Sequence, residues 1–161
     1  AKCVELLKEG AVDLIITNLP NHKITEFMEV TEIFTFQDLF IAGKKYSELC
    51  SEEISITELK DYPILMLEEN TTTRTFFNHL MDRLDLELNP EVELGSVDLL
   101  IEMAKIGLGI SFVPDYCLSN HEQELATITL QEDLAARNLG LVTNEKIPFS
   151  IASKKFIELL V

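Results

Sequence analysis

Asn70-Thr71-Thr72-Thr73-Arg74 is the stretch of this sequence best equipped for chemistry. Its hydroxyls stand where a helix begins, and the first N–H groups of a helix have no partner inside it. Hydroxyls, unpaired N–H groups and the positive end of the helix dipole together make an anion site. Arg74 adds a full charge. A carboxylate, sulfate or phosphate group on a small molecule suits such a place. The same residues also fit a local role, with Thr71 or Thr72 as N-cap and Arg74 in a salt bridge. Gly95-Ser96 repeats the arrangement ahead of a second helix, where Ser96 either faces a ligand or only caps. Thr17 and Asn18 follow the apolar run 12–16 and form a third candidate, with an ordinary Asx turn as the alternative. Glu68-Glu69, beside the threonines, leaves a cation-binding reading open.

Nothing in the chain proposes catalysis, a cofactor or a metal. His22, His79 and His121 are scattered, no serine sits in a G-x-S-x-G elbow, and there is no P-loop. Cys3, Cys50 and Cys117 are widely spaced, without a C-x-x-C pair or a histidine at ligand spacing, and read as ordinary reduced thiols. Cys117, just past Pro114, is the one thiol beside a strand end that an enzyme on this architecture could use.

The elements that must position these residues are legible from period and punctuation. Residues 90–116 read as a strand, a capped helix and a buried strand. Ser96 takes the N-cap, and Asp98 complements the dipole. Val97, Leu100, Ile101 and Ala104 share a buried face, Gly107 closes the helix at C′, and Pro114 stops the strand. Ile110 and Phe112 lie in that strand, as the apolar wall behind a ligand or, for Phe112, as plain core. A helix over 2–9 ends at Gly10, and the apolar run 12–16 reads as a strand of a parallel sheet covered on both faces. Residues 30–42 read as one long strand. Ser55–Glu58 reads as a capping box opening a short helix at Leu59, residues 62–67 read as a buried strand, and Phe77, Leu80, Met81 and Leu84 share a helix face. Residues 125–130 and 138–143 read as strands, and 149–161 as a final helix. Strands alternating with helices indicate an α/β protein.

The chain has 161 residues, 47% of them hydrophobic, which allows one domain or two small lobes with a real core. Thirteen Lys and Arg against 28 Asp and Glu give a net charge of −15, which argues against a nucleic-acid-binding surface on this chain. No apolar run approaches the ~18 residues of a membrane span, and no signal peptide is visible. Ala1 to Val4 read as the inside of a helix with no cap before it, so a preceding segment is expected.

Five features in order carry a family resemblance: residues 7–16 as an "L..G..D.." helix-to-strand unit, the long strand ending at Phe40-Ile41-Ala42, the "L...P.I" segment at 59–64, the loop-to-helix entry at 70–74, and residues 103–114, close to a "V..G.GI..LP" signature. Together they resemble the effector-binding domain of LysR-type transcriptional regulators. The resemblance implies a two-lobed type 2 periplasmic-binding-protein-like fold, each lobe a mixed sheet flanked by helices. Lobe I would hold 1–42 and 144–161, without its first strand-and-helix unit, and lobe II 43–143. It further implies a cytoplasmic homodimer or homotetramer that takes a small anionic effector between its lobes. DNA would be bound only through a helix-turn-helix domain outside this sequence, and no membrane partner is implied. The effector residues would be Thr17, Asn18, Asn70, Thr71, Thr72, Thr73, Gly95, Ser96, Ile110 and Phe112. An extracytoplasmic solute-binding protein of the same fold is the rival reading.

Overall fold

The computed structural model describes residues 2–119, 121 and 123–160. The chain divides into two compact units, Ala1–Phe36 with Ala136–Val161, and Gln37–Ala135. The expectation from sequence drew these borders at 42 and 144. Strand pairing draws them at 36 and 136, because the strands flanking each crossing belong to different sheets.

The unit Gln37–Ala135 is a five-stranded sheet in the order β5-β4-β6-β3-β7, with β3 Asp38–Gly43, β4 Ile64–Leu67, β5 Val92–Leu94, β6 Ile110–Pro114 and β7 Leu125–Ile128. β4 runs parallel to β5 and β6, whereas β3 is antiparallel to β6 and β7. Helices α2 (Thr72–Leu84) and α3 (Val97–Lys105) cover opposite faces. Alternation along each strand decides which residue meets which helix. Phe40, Met66, Ile110 and Phe112 pack with Phe77, Leu80 and Met81 of α2. Ile41, Leu65, Leu67 and Val113 pack with Leu100, Ile101 and Ala104 of α3. Both faces are buried, so the strands read as near-continuous apolar runs.

Helix α3 matches its sequence pattern closely. Gly107 has φ +76°, its N–H donates to the Ala104 carbonyl at 3.0 Å, and the Leu108 N–H donates to Met103 at 3.0 Å. That pair of bonds is the Schellman closure, which needs a left-handed residue at C′. The capping box at Ser55 and Glu58 is also present, but it opens a 3-10 segment, Ile56–Asp61, rather than a helix starting at Leu59.

The other unit is a three-stranded antiparallel sheet, β1-β8-β2, of Leu14–Leu19, Arg137–Asn144 and Met28–Phe36. Its core is Val4 and Leu7 of α1 (Lys2–Lys8) against Ile15, Met28 and Val142. Three expectations change here. The run at 12–16 is an edge strand paired antiparallel to β8, with Ile16 exposed, and not a strand of a parallel sheet. The strand expected over 30–42 is two strands, broken at Gln37, where the ladder with β8 ends and that with β6 begins. The final helix, α4 (Ile151–Leu160), has the expected amphipathic period but no buried residue among those described, and Ile151 is 89% exposed.

Asp13 anchors α4 across the unit. Its carboxylate accepts from the Ser153 hydroxyl and from the Ser150 N–H at 3.3 Å. Hydrogen bonds from Ser150 and Ser153 hold its pKa below the ordinary value of 3.8. A carboxyl group depressed on folding stabilises the native state above its unfolded pKa and loses that contribution as pH falls through the folded value. Asp13→Asn should therefore be less stable than the parent at pH 7, and the gap should close below about pH 4. Chemical unfolding of both chains across pH 2–7 reads this. A gap that stays constant over the range would rule it out.

Candidate functional site

The carboxyl ends of parallel β4 and β5 emerge side by side, and each leads into a helix N-terminus. This is the edge of an open α/β sheet where ligands bind. The two exits are joined directly, because the Glu68 N–H donates to the Leu94 carbonyl at 3.1 Å. Loop 68–71 therefore lies against Gly95-Ser96. Every sequence candidate between Asn70 and Ser96 belongs to this one edge.

The threonines divide their work. Thr71 is the N-cap of α2: its hydroxyl accepts from the Arg74 N–H at 3.2 Å and donates to the Glu68 carbonyl at 2.9 Å. Thr72, the first helical residue, is half-buried, and Asn70 is exposed. Thr73 is 3% exposed and faces the interior. Ser96 holds the N-cap position of α3, and its carbonyl accepts from Leu100 at 3.3 Å, but its hydroxyl makes no capping bond. The sequence offered capping and ligand contact as alternatives for Ser96. Its hydroxyl is not spent on capping. At Gly95 a Cβ would lie 3.5 Å from Glu68 Oε1, an ordinary contact, so the glycine is not required for space.

Of the two roles the sequence offered for Arg74, the structure shows the salt bridge. Arg74 is 6% exposed, on the inner face of the first turn of α2. Its Nε donates to Asn78 at 3.1 Å, and its Nη1 to the Leu67 carbonyl at 3.2 Å and to Glu93 at 2.9 Å. Nη2 lies 4.0 Å from Glu69. Nothing in the sequence linked Arg74 to Glu93, which is far from any helical or strand spacing. The usable signal was the charge itself: an arginine in the first turn of a helix is unfavourable to the dipole unless a carboxylate answers it.

The remaining candidates lie elsewhere. Ile110 and Phe112 have no exposed surface and belong to the core between the sheet and α2. Thr17 and Asn18 are inside β1, opposite Gly140 and Leu139 of β8, rather than past a strand end. The chain turns later, and the Asn21 side-chain amide donates to the Thr17 hydroxyl at 3.1 Å.

Among the described residues no group of three or more His, Cys, Asp and Glu is placed to hold a metal. Burial, with Asp98, Asp38 and Asp115 nearby, pushes the Cys117 thiol up to about 11. It is kept in the unreactive thiol form, since the thiolate is the nucleophile. No helix among the described residues is long and apolar enough to cross a membrane.

The family model described as "LysR substrate binding domain" matches residues 1–161. "HTH-type transcriptional regulator EstR" of Acinetobacter baylyi is 21% identical over 162 residues, covering 99% of this chain and 53% of that protein. The chain spans about half the length of the curated relatives it matches. Among solved structures, the Synechocystis PCC6803 CcmR regulatory domain in complex with 2-PG superposes with a TM-score of 0.87 at 21% identity, covering 99% of this chain and 76% of that one. The effector-binding domain of QuiR in complex with shikimate gives 0.83 at 16%, covering 99% and 75%. The fold is the type 2 periplasmic-binding-protein-like fold of those domains.

Proposed function

The chain belongs to the LysR substrate-binding-domain family, and on that premise we propose that it senses a small hydroxylated acid at the joined carboxyl ends of β4 and β5. One observation carries the reading. The Glu68–Leu94 bond brings two helix N-termini and the hydroxyls of Thr72 and Ser96 to a single edge. Because Arg74 is committed to Glu93, neutral donors, namely hydroxyls and helix N–H groups, hold the acid group. The exposed carboxylate of Glu68, next to Gly95, suits a ligand hydroxyl as donor. Shikimate, the ligand of the QuiR domain, is an acid of this kind. Ile110 and Phe112 enter the proposal only as buried core of the sheet.

In the whole protein, the effector would change the affinity for DNA, held by a domain outside this chain, within a cytoplasmic homodimer or homotetramer. A ligand does this only through different affinities for the two forms of the protein. The regulator reading is favoured over an extracytoplasmic binding protein because the family model and the curated relatives are those of regulators. It is favoured over an enzyme on the same ground, since the matching family model and the curated relatives are those of regulators.

The test is a thermal-shift screen of hydroxy acids, shikimate included, followed by calorimetry. Thr72→Ala and Ser96→Ala are each expected to weaken the acid that binds by about tenfold, the worth of one good hydrogen bond. Binding that survives both substitutions unchanged would place the effector elsewhere.

A further inference from the structure

We infer that Arg74 is the positioning residue of this site: it touches no effector, and its guanidinium holds loop 68–72 and loop 94–96 in one geometry. The meaning of those loops rests on the reading above, but the geometry stands without a ligand. Arginine is seldom buried, and a guanidinium tolerates burial only when its fork of donors is satisfied. Here the fork makes three hydrogen bonds, and its remaining arm has a longer charge pairing with Glu69 at 4.0 Å. Nη1 binds the Leu67 carbonyl, the last residue of β4, and Glu93 of β5. Nε binds Asn78, one turn further along α2, and Nη2 faces Glu69 in the loop itself. Leu67 and Glu93 immediately precede Glu68 and Leu94, the two residues whose hydrogen bond joins the loops. One side chain therefore grips the root of each loop at once. β5 needs such a tie, since it is only three residues long and pairs with β4 alone in the sheet order.

Native-state amide exchange of the chain tests this without an effector. The reporters are the amides of Glu68, Thr71 and Leu100, which bond to Leu94, Glu68 and Ser96. The internal standard is the β3–β6 ladder, residues 39–41 with 111–113. In Arg74→Met and in Glu93→Gln, protection of the reporters should fall at least about tenfold relative to the standard, with Arg74→Lys in between. In Arg74→Met with Glu93→Val, an apolar pair replaces the ions and should restore the melting temperature, yet the reporters should stay exposed. A merely stabilising pair would instead recover both together. Loss in equal proportion at reporters and standard, recovery of the reporters in the double variant, or no change in any variant would overturn the assignment. If Arg74→Met does not fold, Glu93→Gln decides alone. Failure of the Thr72 and Ser96 binding test, with this exchange pattern intact, would remove the effector reading and leave the positioning role.

Discussion

Alanine at Gly43 is expected to destabilise the unit Gln37–Ala135 by about 3 kcal/mol or more, at the upper end of overpacking costs. The cause is space. Gly43 has φ −80° and ψ −178°, which any residue adopts. An added Cβ, however, would run into the carbonyl oxygen of Ala104 and lie 2.9 Å from that of Lys105. Both are backbone atoms in the last turn of α3, held by the Gly107 closure, and Ala104 is fully buried. No rotamer change relieves such a contact. Either β3 gives up its end, where Gly43 pairs with Leu125, or α3 lifts from the sheet. Gly95→Ala is the control, because its Cβ meets only Glu68 at an ordinary 3.5 Å, and it should change stability by less than about 0.5 kcal/mol. Urea unfolding followed by circular dichroism should show a lower midpoint with an unchanged slope for Gly43→Ala alone. Equal midpoints for the two variants would defeat the steric account.

Legibility in the sequence follows the range of the interaction. Features that act within a few residues were readable. The N-cap position of Ser96, the buried face of Leu100 and Ala104, the left-handed Gly107 and the stop at Pro114 all stand where their types and spacing put them. Features set by a distant partner were not. Ile15 and Ile16 form an apolar run, but the direction of its pairing depends on β8, and only one of the two is buried. The break at Gln37 carries no glycine or proline; it exists because Asp38 pairs with Pro114 of β6. The hydroxyls of the candidate site were found by type and position. The salt bridge offered as one role for Arg74 is present, but its partner was not legible, because Glu93 lies on another element. Amphipathic period told which residues of α4 share a face, and period alone does not say what covers it.

Phe112→Ala is expected to cost about 3–5 kcal/mol and to leave the effector affinity of the folded molecules within about threefold. The first half follows from packing. Phe112 has no exposed surface; its ring lies 4.8 Å from Phe40, 5.4 Å from Phe77 and 6.5 Å from Phe76, with which it stacks. Such pairs add about 0.5–1.5 kcal/mol each to the area they bury. Phe40 is fixed opposite it in the β3–β6 register and Phe77 by α2, so neither can collapse into the space that alanine leaves. Against a typical domain stability of about 5–15 kcal/mol, that is a large share. The second half follows from enclosure, since a side chain sealed between sheet and helix touches a ligand only if the core opens. Phe112→Leu separates the two roles, because it keeps most of the volume and should fold under assay conditions. Urea unfolding and calorimetry with the acid found by screening should show stability falling while affinity holds. A loss of affinity of tenfold or more in fully folded Phe112→Leu would mean that Phe112 is part of the binding wall after all.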